Sequence, residues 1–336
     1  MSKRPSIRTL HDPDGSHHRR GAHDHAYPLA PMQEAMLLRS ARAPGAGLYV
    51  QQFVITLHEP LALPAFRQAW RSLAERHPVL RTSFALDALP EPVQRVHAHV
   101  ELPWTEHDWR NLAPAAQDAA LAAFLREDRG TPFAPAHAPL TRLALVRTGD
   151  EAWRLVWTSH HALFDGYARR ILLREVFDEY EALVRGEPWE APAPAPSYAE
   201  YVRWLRGADE AAERAFWQEA LHGFAAPNEL SLEPGAGDVR ERHRFQLTAE
   251  LSEELQRLAR REEVTLNAVL QVAWALLVSR YTGASDVAFG ATRACRRGGL
   301  EGVERVVGML SHTVPMRLRV NERRSVVHHL DAARTL

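Results

Sequence analysis

The chain has 336 residues, of which 46% are apolar and 25% charged, and its net charge is −1. That balance belongs to a folded chain of one large or two ordinary domains, and it leaves no global charge to draw in nucleic acid or an anionic membrane. The single cysteine, Cys295, excludes an internal disulfide framework and a cysteine-based zinc site.

Residues 1–25 are polar and without periodicity, and they read as a disordered arm. Its histidines, His17, His18, His23 and His25, read as a polar tail before they read as a metal site. The arm has no apolar core segment and no later apolar run approaches the length of a membrane span. No secretory signal and no membrane partner are therefore expected, and the expected location is the cytoplasm. Cys295 lies between arginines in "ATRACRRG", which can lower a thiol pKa, but no histidine base is near it in sequence.

Ordered structure is expected from "YPLAPMQEAMLLRSAR" onward, where Pro31 suits a first helical turn and Met32, Ala35, Met36 and Leu38 form an apolar face. "LYVQQFVITL" (48–57) is rich in β-branched and aromatic residues and reads as a strand. In "LPAFRQAWRSLAERHPVL", Leu63, Phe66, Ala69, Trp70 and Leu73 recur at helical spacing until Pro78 ends the pattern. "VLRTSFAL" then reads as extended. A helix over 114–129, strands at "PLTRLALVR" and "EAWRLVWTS", and a helix over 166–183 complete a first α/β unit. The prolines of "GEPWEAPAPAPS" allow neither helix nor central strand, so 187–197 reads as a semi-rigid crossover. Beyond it come two amphipathic helices, "YAEYVRWLRG" and "EAAERAFWQEAL", and a strand around "RHRFQL". Helices at "TAELSEELQRLARREE" and "TLNAVLQVAWALLVSRYTG" follow, the second apolar almost all round and so expected to be buried. Extended segments at "DVAFGAT" and "TVPMRLRV" and a helix at "VVHHLDAARTL" close the chain.

The chemistry-bearing stretch is "TSHHALFDGYARR", where a strand hands over to a helix. Neighbouring residues of an extended segment point to opposite sides, so His160 and His161 do not share one cavity, which counts against a two-histidine metal site. Asp165 follows His161 by four residues, and Gly166 leaves room for close approach of a substrate to the backbone. On these residues alone a catalytic site and a polar strand-end loop both stay open.

Five segments, spread over 27–317, narrow the choice. "HHALFDG" has the pattern HHxxxDG. It is joined by "YPLAPMQEAML", "RHPVLRTSF", "YAEYVRW" and "VGMLSHTVPMR". Together and in this order they resemble the condensation domains of nonribosomal peptide synthetases. Those domains belong to the histidine-dependent acyltransferases related to chloramphenicol acetyltransferase. Three positions depart from the family pattern: His312 stands in place of asparagine, Leu310 in place of phenylalanine, and Glu200 where aspartate is commoner. Family members continue past the point where this chain stops, so a C-terminally truncated domain is expected.

The resemblance implies an α/β (α+β) fold of two acetyltransferase-like lobes in a V-shaped pseudo-dimer, the first over 26–186 and a second, incomplete one over 198–336. It implies amide formation between an acyl or peptidyl thioester and an aminoacyl acceptor, each presented by a carrier protein on a phosphopantetheine arm. No metal and no directly bound cofactor are implied, and an adjacent adenylation domain or module is. His161 would accept a proton from the attacking amine or hold the amine in line, beside Asp165 and Gly166. Asp165 would be structural and paired with Arg81, with His160 and Arg76 in support, and Ser311, His312 and Thr313 would lie along the substrate tunnel. Two alternatives stay open. One is a free-standing acyltransferase acting on a soluble amine or alcohol; the other is a non-catalytic remnant that docks carrier proteins. An epimerisation domain also carries HHxxxDG, but "RTSF" argues for condensation.

Overall fold

Residues 50–57 and 153–160 pair antiparallel in one sheet, Val50 opposite His160 and Leu57 opposite Trp153, and burial along 153–160 is near-continuous. The computed structural model describes residues 25–225, 227–229, 244–321 and 323–334. They form two compact units, the first running to Val202 and including 305–309, the second holding 203–304 and the residues from Leu310 onward. The expected arm, with His17, His18 and His23, lies outside the described residues, and His25 is the first residue of β1.

The first unit contains β1 (His25–Pro28), α1 (Pro31–Arg42), β2 (Val50–Leu57), α2 (Leu63–Arg76), β3 (Thr82–Ala85), β4 (Val93–Val96) and β5 (Trp104–Asp108). It continues with α3 (Pro114–Gly130), β6 (Thr141–Arg147), β7 (Trp153–His160), α4 (Gly166–Arg185) and the first half of α5 (Tyr198–Arg206). One sheet has the order β2-β7-β6-β5, antiparallel except for the parallel β5–β6 pair, and a smaller antiparallel sheet has the order β1-β4-β3. Adjacent residues of β7 face opposite ways. Trp157 packs edge-on to Trp70 of α2 and against Phe164, while Val156 packs with Leu121 of α3. Helices α2 and α4 therefore cover one face and α3 the other. The extended reading of "VLRTSFAL" contracts to β3, because Pro78 starts a one-turn 3-10 helix over Pro78–Arg81. Residues 187–197 carry no helix or strand, and the division between units falls later, between Val202 and Arg203 within α5.

The second unit continues with α6 (Glu210–Ala220), α7 (Ala249–Arg261), α8 (Leu266–Thr282), β8 (Asp286–Arg293), β9 (His312–Arg319) and α9 (Val326–Arg334). Strands β8 and β9 pair antiparallel, and Val287, Met316 and Leu318 share a core with α8 and α9. The motif's Arg317 clamps Asp286 across the two strands with a pair of bonds of 2.9 and 2.6 Å. Two expectations are corrected here. Residues 244–247 of "RHRFQL" are not a strand, and the rest of that stretch lies outside the described residues. Helix α8 is not buried all round: Val269, Val272, Ala275 and Val278 face the core, while Leu270, Trp274, Leu277 and Tyr281 are 45% to 65% exposed. A helix lying on one layer buries one stripe, whatever its composition. Among the described residues no single helix is long and apolar enough to cross a membrane. Only α7 and α8 taken together, across a 104° bend, have that length and composition.

Candidate active site

β7 ends at His160, and the next five residues turn the chain into α4. Asp165 ends the turn as the helix N-cap, its Oδ1 accepting the N–H groups of Tyr167 and Ala168 at 3.1 and 2.8 Å. That satisfies two of the amides a helix start leaves unpaired. A Cβ built on Gly166 would meet nothing within 4 Å.

The two histidines differ in burial and in which ring nitrogens are bonded. His160 is 3% exposed. Its Nδ1 accepts the N–H of Ala162 at 3.2 Å, so the ring proton is on Nε2, which donates to Ser40 Oγ at 3.0 Å; that hydroxyl donates in turn to Leu48 O. Burial, with the neighbouring charge of His161 adding to it, pushes the His160 pKa down to about 4. With both nitrogens engaged, the ring is a neutral structural group and has no lone pair left for a metal.

His161 is half-buried. Its main-chain N–H donates to Tyr49 O at 2.8 Å. Its Nδ1 lies 3.1 Å from the carbonyl oxygen of Phe164, and because a carbonyl only accepts, Nδ1 carries the proton. In the neutral form of the ring the lone pair is then on Nε2, for which no hydrogen bond exists among the described residues. A neutral imidazole with its proton fixed at one end and a bare nitrogen at the other is the arrangement a general base requires. Tyr49, whose carbonyl holds His161, has φ = +58°, a conformation that costs a bulky residue about 1–3 kcal/mol and gathers at functional sites.

The expected pair between Asp165 and Arg81 does not form. Arg81 spends its guanidinium on main-chain carbonyls: Ala74 O at 2.9 Å, Glu75 O and Ala98 O at 3.2 Å, and His97 O. The 3-10 turn that Pro78 starts aims Arg81 back at the end of α2 and across to the segment after β4. Arg76, by contrast, is an ion-pair residue. It donates to Glu175 and Glu179 of α4 at 3.0 Å each, and His77 Nε2 meets the same Glu175 carboxylate at 2.8 Å. Burial pushes Glu175 up, but the bonds and charges of His77 and Arg76 outweigh it and hold the carboxyl below its ordinary range.

Two other motif segments bond the histidine loop directly. Gln33, from "YPLAPMQEAML", donates to Ala162 O at 2.9 Å. The N–H of Asp165 donates to Gly308 O at 3.1 Å, and Tyr198 Oη donates to Met309 O at 2.9 Å. Gly308 is glycine for a steric reason: a Cβ there would lie 2.1 Å from the ring of Tyr198. Thus "HHALFDG", the first tyrosine of "YAEYVRW" and the start of "VGMLSHTVPMR" meet at one place. Ser311, His312 and Thr313 fall in the second unit, where His312 opens β9 opposite Arg293 and burial lowers its pKa.

Gln33, Ser40 and Tyr49 are not among the sequence-predicted site residues. For the first two a signal exists, since each is polar and they recur seven apart along a helix whose apolar positions alternate around them. Tyr49 carries none.

Comparisons with known proteins speak to family and fold. The chain is 37% identical over 308 residues to one of the linear gramicidin synthase proteins of Brevibacillus parabrevis, covering 90% of this chain and 4% of that protein. It is 40% identical over 281 residues to chondramide synthase of Chondromyces crocatus, covering 83% of this chain and 7% of that protein. The chain thus spans a small fraction of the relatives it matches. Among solved structures, the first condensation domain of the calcium-dependent antibiotic synthetase superposes with a TM-score of 0.75 at 22% identity, over 92% of this chain and 74% of that one. The starter condensation domain of rhizomide synthetase gives 0.76 at 23% identity, over 93% of this chain and 71% of that one. Likeness at such identities shows the fold. With the family model for the condensation domain matching residues 23–335, the chain belongs to the condensation domain family.

Proposed function

We propose that the chain forms an amide bond between two thioester-bound substrates, an acyl or peptidyl donor and an aminoacyl acceptor. Each is presented on the phosphopantetheine arm of a carrier protein. The observation that carries this reading is the state of His161, with Nδ1–H tied to Phe164 O and Nε2 bare. The acceptor amine attacks the donor carbonyl, a C–N bond forms and the C–S bond breaks. The proton lost by the amine goes to His161 Nε2, and the donor arm leaves as its thiol once it takes a proton back.

An α-amine with a pKa near 7.7–8.0 is about one-seventh neutral at pH 7. General-base help is worth about 10²–10⁴, or roughly 3–5 kcal/mol. Aligning two tethered reactants is worth roughly 7–11 kcal/mol. Placement therefore lowers the barrier more than proton transfer does, and His161 contributes to it by holding the amine as well as by taking its proton. The partners that follow from this reading are two carrier proteins and an adenylation domain, with the cytoplasm as the place of action; the relatives' own names say only that they are synthases. In this reading Gly166, where a Cβ would meet nothing within 4 Å, is where a substrate approaches the helix start.

The test is to incubate the protein with donor- and acceptor-charged carriers and look for the amide product by mass spectrometry. Product is expected from the wild type, with His161→Ala slower by at least about 10²-fold. Product from a soluble amine but not from the charged carrier would replace this reading with a free-standing acyltransferase, and no product from either would refute it.

A further inference from the structure

His161 is held by its surroundings more thoroughly than a base on a loop has to be, and the grip comes from one helix. Gln33 and Ser40 lie seven residues apart on α1, two turns along the same face. Gln33 is 1% exposed. Its Oε1 accepts the N–H of Ala30 at 3.0 Å and Gln94 Nε2 at 2.9 Å, and its Nε2 donates to Ala162 O at 2.9 Å. Ser40 Oγ receives the Nε2 proton of His160, whose Nδ1 receives the N–H of Ala162. Ala162, the residue after His161, is thus held at its carbonyl by Gln33 and at its N–H through His160 by Ser40. The residue before His161 is the one Ser40 grips directly.

We propose that α1 is the positioning element of the site, with Gln33 and Ser40 as positioning residues that fix the main chain on both sides of His161 and so keep its Nδ1 on Phe164 O. This rests on the reading of His161 as the base. The plainer account is a buried polar network that only adds stability, and Gln94 separates the two. Gln94 is as buried as Gln33 and is bonded to Pro28 O and to Gln33, but it makes no bond to the histidine loop.

Two readouts test the proposal on the full chain. One is ¹⁵N NMR of the imidazole groups, which reports the tautomer of His161 whether or not the protein turns over. The other is the kinetics of amide formation with charged carriers. Wild type and Gln94→Met are expected to hold His161 as a single Nδ1–H tautomer, whereas Gln33→Met and Ser40→Ala give a mixture. In the kinetics, Gln33→Met is expected to lower kcat by about 10²-fold, the loss typical of a misplacement near 1 Å, with KM for the carriers little changed. Ser40→Thr, which keeps the hydroxyl, is expected to restore what Ser40→Ala loses. The same single tautomer in all four forms, or equal losses of kcat in Gln33→Met and Gln94→Met, would overturn the proposal. A wild-type chain that forms no amide would instead sink the functional reading, and the tautomer comparison would still decide this one.

Discussion

Asp165 is 1% exposed, and a carboxylate that deeply placed needs donors. It finds two in the first turn of α4. An aspartate just before a glycine and a helical apolar pattern is an N-cap signature, so this role was legible in "FDGYARRILL". Arg81 was not legible in the same way. Its apolar neighbours Val79, Leu80 and Phe84 correctly signal burial, but burial does not say whether a guanidinium meets a carboxylate or a set of carbonyls. Since Arg81 bonds main-chain carbonyls and not Asp165, a double-mutant cycle of Arg81→Ala with Asp165→Ala should show coupling under about 0.5 kcal/mol. Each single change is expected to cost about 1 kcal/mol or more, one through a lost cap and the other through stranded carbonyls. Coupling of about 1 kcal/mol or above in urea unfolding would restore the ion pair.

Helices α2 and α4 are joined by apolar rings and by one buried charge cluster. Arg76 has 24% of its side chain exposed, against 7% for Glu175 and 10% for Glu179. Arg76→Ala leaves two buried carboxylates with His77 as their remaining basic neighbour, at an expected cost near the lower end of about 3–5 kcal/mol. The Arg67–Glu106 pair, 49% and 38% exposed, is the control, and Arg67→Ala should cost about 1 kcal/mol or less. Thermal unfolding of the two variants checks both, and similar melting points would show that the cluster is not what ties α2 to α4. Elements with a strong apolar period, such as α2, β7 and α4, could be read from the residues because the period itself sets which face is buried. Strands β1, β4 and β5 could not. "HAYP", "VQRV" and "WTEHD" are short and partly polar, and only pairing with a neighbouring strand makes them extended.

At the scale of the whole molecule, His160 ties folding to pH. Its pKa falls from 6.5 to about 4 on folding, so the native state demands a neutral ring. Below pH 6.5 the unfolded chain takes up a proton that the folded one refuses. Stability is therefore complete above that pH and is lost progressively as the pH drops towards 4, by ~3 kcal/mol at most. Wild type should lose more stability between pH 7.5 and 5 than His160→Gln, measured by urea unfolding at each pH, and equal losses would contradict the assignment. The first unit also draws on distant sequence, since residues 305–309 belong to it although 203–304 do not. Asp165 finds its carbonyl partner at Gly308, and Tyr198 finds its own at Met309. A ribosome adding about 5–20 residues per second needs about 5–20 s to travel from Val202 to that segment. Closing so long a loop adds little entropy over a shorter one, so the detour is thermodynamically mild. Its cost is one of timing. During synthesis the histidine loop waits, unfinished, for a strip of chain made after most of the second unit, and a nascent chain stalled before residue 308 carries His161 but no completed site around it.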